Sequence, residues 1–412
     1  MDEKTLQILE YQKILQRVAE QTSFEPSKEK AGELRPASDL AAAQILQSET
    51  QEVVQLLTTH PEFTIGGARD CREQLDLASH GGVLAPVDLL DIKSTLIAGR
   101  TLVRTIERLA EPYPLLAERA ALMPLPIGLI DAITRAISDR GEVLDSASAR
   151  LALIRRDLRV VHERLLAKMQ RMVSDSSIAQ YLQEALVTQR DGRYVLPLRA
   201  DFKGRVRGVI HDQSSSGATL FIEPLSVVEM NNQYRELQLE ERDEERRILQ
   251  ALSGTIGESS HEILALIDMI AELDLVLAKA KYALEIGGIA PILHDFPKKR
   301  RQLAGDLHHP GSTVNLLGAR HPLLDPDTVV PVDVVLDHDT FILVITGPNT
   351  GGKTVTLKTV GLLALMAQSG LHLPVETGSA ISVFDQIFAD IGDEQSIEQS
   401  LSTFSGHITN II

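Results

Sequence analysis

Residues 341–354 run Phe341-Ile342-Leu343-Val344-Ile345-Thr346-Gly347-Pro348-Asn349-Thr350-Gly351-Gly352-Lys353-Thr354. A short β-rich apolar run thus meets a full match to G-x-x-x-x-G-K-[ST], and residues 355–368 continue as a helix. Strand, loop and helix in that order form the context a phosphate-binding loop requires. Glycines let backbone N–H groups turn inward around phosphate oxygens with no Cβ in the way. The N-terminus of the following helix adds partial positive charge. Lys353 is expected to reach the β- and γ-phosphates of ATP, and the Thr354 hydroxyl to ligate Mg²⁺. Gly347, Pro348, Asn349, Thr350, Gly351, Gly352, Lys353 and Thr354 are therefore the candidate nucleotide-binding residues.

Further along, Ser400-Leu401-Ser402-Thr403-Phe404-Ser405-Gly406-His407 opens a second helix. Hydroxyl side chains and unpaired N–H groups at a helix start can meet an anion. A plain serine N-cap accounts for the same residues taken alone.

Before the loop the chain is mainly helical. Residues 1 to about 110 read as several short amphipathic helices, broken at Gly66-Gly67 and Gly81-Gly82. Prolines at 112, 114, 124 and 126 then punctuate an irregular connection. From about residue 143, Leu151, Ile154, Leu158, Val161, Leu165, Met169 and Met172 recur mostly in steps of three and four, the period of a buried helical stripe. Arg155, Arg156, Arg159, Arg164, Lys168 and Arg171 occupy the opposite face. A second helix is expected over residues 226–284; at about 1.5 Å per residue it would be roughly 90 Å long. Gly254 and Gly257 are where it should bend or break.

Between the two helices the period changes. Residues 193–198, 208–210 and 218–222 look like short strands separated by turns. Two long helices leading out to a small β-rich tip and back describe a clamp, and an ordinary bundle with a surface hairpin fits the same pattern. Lys203, Arg205 and Arg207 in the tip are candidate nucleic-acid contacts, supported by the arginine face at 155–171. Clustered cations of this kind neutralise phosphates, although a solvated face explains any single one of them.

The chain has 412 residues, which calls for two or three domains. Aromatics make up 4% and there is no Trp, so the cores should be aliphatic. The net charge of −16 confines any nucleic-acid binding to local basic patches. One cysteine, Cys71, can form neither an internal disulfide nor a cysteine metal site, and reads as a small buried residue. The first residues lack the basic and apolar regions of a signal peptide, and no apolar run approaches membrane-spanning length. A cytoplasmic protein with no membrane partner is the expectation.

Residues 347–354 resemble the phosphate loop of the MutS family of ABC-type ATPases. Ser402, Thr403 and Phe404 resemble that family's version of the ABC signature, and Arg320-His321-Pro322 its element just upstream of the ATPase strand. The stretch His211-Asp212-Gln213-Ser214-Ser215-Ser216-Gly217-Ala218-Thr219-Leu220-Phe221-Ile222-Glu223-Pro224 is similar to one branch, the second bacterial paralogue. The resemblance covers nearly the whole chain. It implies a multidomain, mostly α fold: a helical core over 1–142, then lever and clamp helices over 143–285 with a β tip near 190–224. A partial α/β P-loop domain of ABC type would follow over 286–412.

It also implies a homodimer, with the signature of one subunit capping the γ-phosphate held by the other's loop. ATP would then move the clamp around DNA or a ribosome. For this branch, suppression of recombination at branched DNA and splitting of collided ribosomes are the implied roles, with endonuclease activity in a separate Smr domain. The mismatch-reading wedge of the repair proteins is not at the start of this chain, and Phe221-Ile222-Glu223 matches its letters only by coincidence. An ABC ATPase also needs an apolar strand ending in Asp-Glu after the signature, and the sequence ends at Ile412 before one. Asp393-Glu394 precedes the signature, behind a run broken by Asp390 and Gly392, and makes a poor substitute. Weak or absent ATP hydrolysis is therefore expected. A non-catalytic interaction or dimerisation fragment with a vestigial loop is the alternative.

Overall fold

The computed structural model describes residues 1–295, 313–336, 340, 342–348 and 351–391. In chain order the helices are α1 (Glu3–Ile8), α2 (Tyr11–Glu20), α3 (Glu25–Gly32), α4 (Leu40–Thr59), α5 (Arg72–Ser79), α6 (Pro86–Arg108) and α7 (Pro114–Ala121). They continue with α8 (Leu129–Ala136), α9 (Ala149–Ser174), α10 (Ser176–Ala179), α11 (Val228–Glu258), α12 (Ser260–Glu285) and α13 (Lys353–Gln368). The strands are β1 (Thr188–Arg190), β2 (Arg193–Arg199), β3 (Gly208–Gln213), β4 (Thr219–Pro224), β5 (Ile292–His294), β6 (Val314–Ala319), β7 (Val332–Leu336) and β8 (Ala380–Ser382). The fold is thus mostly helical, with two four-stranded sheets among the described residues. None of the described helices is long and apolar enough to cross a membrane.

The chain divides into two compact units, each discontinuous in sequence. The first comprises Met1–Asp70, Ser94–Leu125 and His261–Ile412. Tyr11, Ile14, Leu15 and Val18 repeat at helical spacing, so α2 buries one stripe. That stripe joins Leu362, Leu365 and Met366 of α13 and Tyr282 of α12 in a single core. Two tyrosines thus belong to an otherwise largely aliphatic interior. The start of α4 is fixed by Asp39, whose carboxylate accepts from Ala42 N at 2.9 Å, satisfying a donor the helix cannot. The sheet of this unit runs β5-β8-β6-β7, with β5 parallel to β8 and the other pairs antiparallel.

The second unit comprises Cys71–Lys93 and Pro126–Ser260. Here α9 and α11 lie antiparallel, as their cross-links show: partners on α11 fall in number as those on α9 rise. Ser148, the N-cap of α9, donates to Glu244, and Arg155 donates to Glu241. His162 stacks on Tyr234, and Lys168 reaches the Ser226 carbonyl just before α11. The apolar stripe read from the sequence faces inward at Leu151, Ile154, Val161, Leu165 and Met169.

At the far end of the pair sits an antiparallel sheet of order β1-β2-β4-β3, with Leu196 opposite Ile222 and Ile222 opposite Ile210. Leu196, Leu198, Leu220 and Ile222 cover Leu165 and Met169 of α9. The sheet is locked to α11 by the carboxylate of Glu223, 1% exposed. It accepts from Arg193 Nη1 at 2.8 and 3.0 Å, His211 Nε2 at 2.6 Å and Asn231 Nδ2 at 2.7 Å. Asn231 also exchanges hydrogen bonds with the Tyr194 backbone, so both faces of this amide are used.

Several elements differ from the sequence reading. The 226–284 helix is two helices, and the break falls at Ser259, two residues past Gly257. Gly257 serves close packing instead, since a Cβ there would meet Ala78 O at 2.5 Å. Helices α4 and α6, at 20 and 23 residues, are long and not short. Cys71 is buried at the head of α5.

Candidate nucleotide-binding site and tip patch

The run before the phosphate loop is not in a β-ladder over the described residues 342–346. Ile342 and Val344 are 78% and 74% exposed. A strand exists only when a neighbour takes its N–H and C=O groups, and β-rich composition alone supplies no neighbour.

The loop itself keeps the features the motif demands. Gly347 has φ +147° and Gly352 has φ +78°, conformations that burden any residue with a Cβ. Among the described residues, no heavy atom lies within 4 Å of where a Cβ would stand at either position. Gly351 N donates to Pro348 O at 2.9 Å. Gly352 then N-caps α13, with Lys353 its first residue and Thr354 its second, exposed one. Lys353 Nζ donates to Gly347 O at 2.7 Å, drawing the ammonium across the loop it is expected to serve. Asn349 and Thr350 lie outside the described residues, as do the signature residues Ser402, Thr403 and Phe404 and the pair Asp393 and Glu394.

A phosphate chain fits this donor set. Successive N–H groups at a helix start, one ammonium and one hydroxyl are what an anion with a divalent ion needs. Among the described residues no cluster of three or more His, Cys, Asp or Glu side chains could hold a metal alone.

Near the loop, α2 connects α13 to the Arg320-His321-Pro322 element. Glu10, at the head of α2 in a left-handed conformation (φ 59°), pairs with Lys358 of α13 at 3.2 Å. Arg17 Nη1 donates to Pro322 O at 2.7 Å. His321 is buried, its Nδ1 accepting from Leu323 N, and that burial lowers its pKa.

In the tip, Lys203, Arg205 and Arg207 are all exposed, while Val206 between them is buried and pins the segment. The arginine face of α9 divides. Arg155 is spent on Asp145, Glu241 and Glu245, at 2.7 to 2.8 Å; burial works against its charge, yet these carboxylates outweigh it and raise its pKa. Arg156, Arg159, Arg164 and Arg171 stay exposed.

Three groups escaped the sequence reading. Glu223 appeared there only as one letter of the 211–224 stretch and of a coincidental match, and nothing in its neighbours marks it as a hub. Lys279 and Gln47 hold the distal end of α13. Lys279 had only a weak signal: it is one of two lysines, with Lys281, in the last two turns of the largely apolar α12.

A family model described as MutS domain V matches residues 343–412. The chain is 48% identical to Endonuclease MutS2 of Thermomicrobium roseum, over 100% of this chain and 52% of that protein. It is 45% identical to Endonuclease MutS2 of Pelotomaculum thermopropionicum and 44% identical to that of a Geobacillus strain, again over all of this chain and 50% and 51% of theirs. The chain therefore spans about half the length of the curated relatives it matches.

Proposed function

The chain belongs to the MutS family, on its MutS2 branch, and on that premise we propose that it is a nucleotide-responsive clamp whose loop at 347–354 binds Mg²⁺-ATP. The observation that carries this reading is Lys353 Nζ poised across a loop whose two outer glycines hold conformations suited to an anion. Backbone N–H groups at the start of α13 donate to phosphate oxygens, and Lys353 exchanges the Gly347 carbonyl for phosphate. Thr354 would offer its hydroxyl to Mg²⁺, which would supply charge neutralisation at the phosphates. The segment 286–412 then acts as part of an α/β ABC-type ATPase domain, and Ser402, Thr403 and Phe404 cap the nucleotide of a second subunit in a homodimer.

The cargo is DNA or a ribosome, held through phosphates. Exposed Lys203, Arg205 and Arg207 support phosphate contact, which carries most non-specific affinity and is common to both cargoes. A fluorescent ATP analogue tests the reading: Mg²⁺-dependent binding, competed by ATP and ADP but not by adenosine, is expected of a phosphate loop. Competition by adenosine as strong as by ATP would overturn it.

A further inference from the structure

Helix α13 begins at the phosphate loop and ends in a nest of buried polar side chains. The last carbonyls of any helix lack intrahelical partners, and here α4 and α12 supply them. Gln47 of α4 donates Nε2 to Ala367 O at 2.7 Å and to Leu371 O at 2.9 Å. Thr50 of α4 donates to Gly370 O at 2.6 Å. Lys279 of α12 donates Nζ to Ser369 O at 2.8 Å, and the Tyr11 hydroxyl of α2 shares a hydrogen bond with Ser369 Oγ at 2.6 Å. Every one of these side chains is less than a tenth exposed.

Lys279 is the costly member. An ammonium 2% exposed loses its hydration, and a methionine would fill the space without that cost. Its ammonium donates to the carbonyl that ends the phosphate-loop helix, where the helix dipole is negative. Glu49 of α4 attracts the charge and Arg119 of α7 repels it. A 16-residue helix is a stiff rod about 24 Å long, so movement of the loop is delivered to this end.

We infer that Lys279 is a positioning residue for the phosphate loop, seating α13 on α4 and α12 through Ser369 so that occupancy of the loop is felt in those two helices. The inference rests on the nucleotide-binding reading above and adds the route by which the loop's state leaves it.

Hydrogen exchange of the full chain, with and without saturating Mg²⁺-ATP at pH 7, tests it. Amides at 351–356 should slow as the loop is occupied, and those at 43–50 and 276–283 should slow at least fivefold with them. In Lys279→Met the loop amides still slow and the distal ones do not. Equal distal slowing in the variant, or loop protection without distal slowing in the unmodified chain, overturns the inference. No loop protection at all marks failure of the nucleotide reading instead, and the inference falls with it.

Should the variant not fold, pH makes the same test on the unmodified chain. Burial, opposed by Glu49, lowers the Lys279 pKa to about 8, while burial pushes the neighbouring Tyr11 hydroxyl and the carboxylate pairs push Arg119 upward. Between pH 7 and 9.5 the distal slowing should fall by half or more while loop protection persists. Distal slowing unchanged at pH 9.5 overturns the inference.

Discussion

Replacing Glu223 with alanine should unfasten the tip sheet from α11. Its carboxylate is 1% exposed and gathers four donor contacts, two from Arg193, one from His211 and one from Asn231. Removing one side of a buried, hydrogen-bonded charge pair costs about 3 to 5 kcal/mol, mostly because the other charge is stranded. Arg193 and His211 are 28% and 20% exposed in their side chains, so water can partly relieve them. The lower end, about 3 kcal/mol, is therefore expected, or roughly a hundredfold change in an opening equilibrium. Hydrogen exchange reads this locally: amides of β2 and β4 should exchange about a hundredfold faster in Glu223→Ala, with α13 unchanged. Glu223→Gln keeps the shape and one acceptor but loses the charge, and should fall between. Exchange in β2 and β4 within fivefold of the unmodified chain would refute the reasoning, because the carboxylate would then not be the fastening.

Other outcomes follow from the same geometry. The folded pKa of Lys279 is depressed from 10.5 to about 8, so the folded state sheds its proton first; stability should rise as pH climbs from 8 towards 10.5, by about 3 kcal/mol in full. Urea unfolding at pH 7.5 and 9.5 should show part of this rise, and Lys279→Met should lack it. Neutralising Lys203, Arg205 and Arg207 together should weaken duplex DNA binding and reduce the slope of log affinity against log salt by about 2 to 3, one fluorescence titration series deciding it. An unchanged slope would place phosphate contact elsewhere.

Much of this fold could be read along the chain because its signals are local. The stripe from Leu151 to Met169 sets α9, and alternation at Leu196, Leu198, Leu220 and Ile222 marks the tip strands. What failed depends on partners distant in sequence. The run at 342–346 has strand composition but no ladder neighbour among the described residues. Helix α6 runs for 23 residues where short helices are expected, and its Gly99 admits Leu266, whose side chain would lie 2.7 Å from a Cβ there. Arg155 belongs to an exposed arginine face only until Glu241 and Glu245 are placed beside it.

The site divides in the same way. Left-handed glycine conformations follow from the motif, because the loop needs inward N–H groups wherever it occurs. The seat of α13 on Lys279, Gln47 and Thr50 does not, since those residues lie 68 to 300 positions before Gly347 and meet the far end of α13 only through the fold.

Calorimetric titration of the chain with Mg²⁺-ATP, beside Lys353→Ala, addresses the central claim most directly. A charge-assisted hydrogen bond to phosphate contributes about 1.5 to 3 kcal/mol, so the variant should bind roughly 10- to 150-fold more weakly. Saturable binding weakened to that degree is the predicted result. Binding equally tight in the variant, or no heat of binding in the unmodified chain, would contradict the account of residues 347–354 as a working phosphate loop.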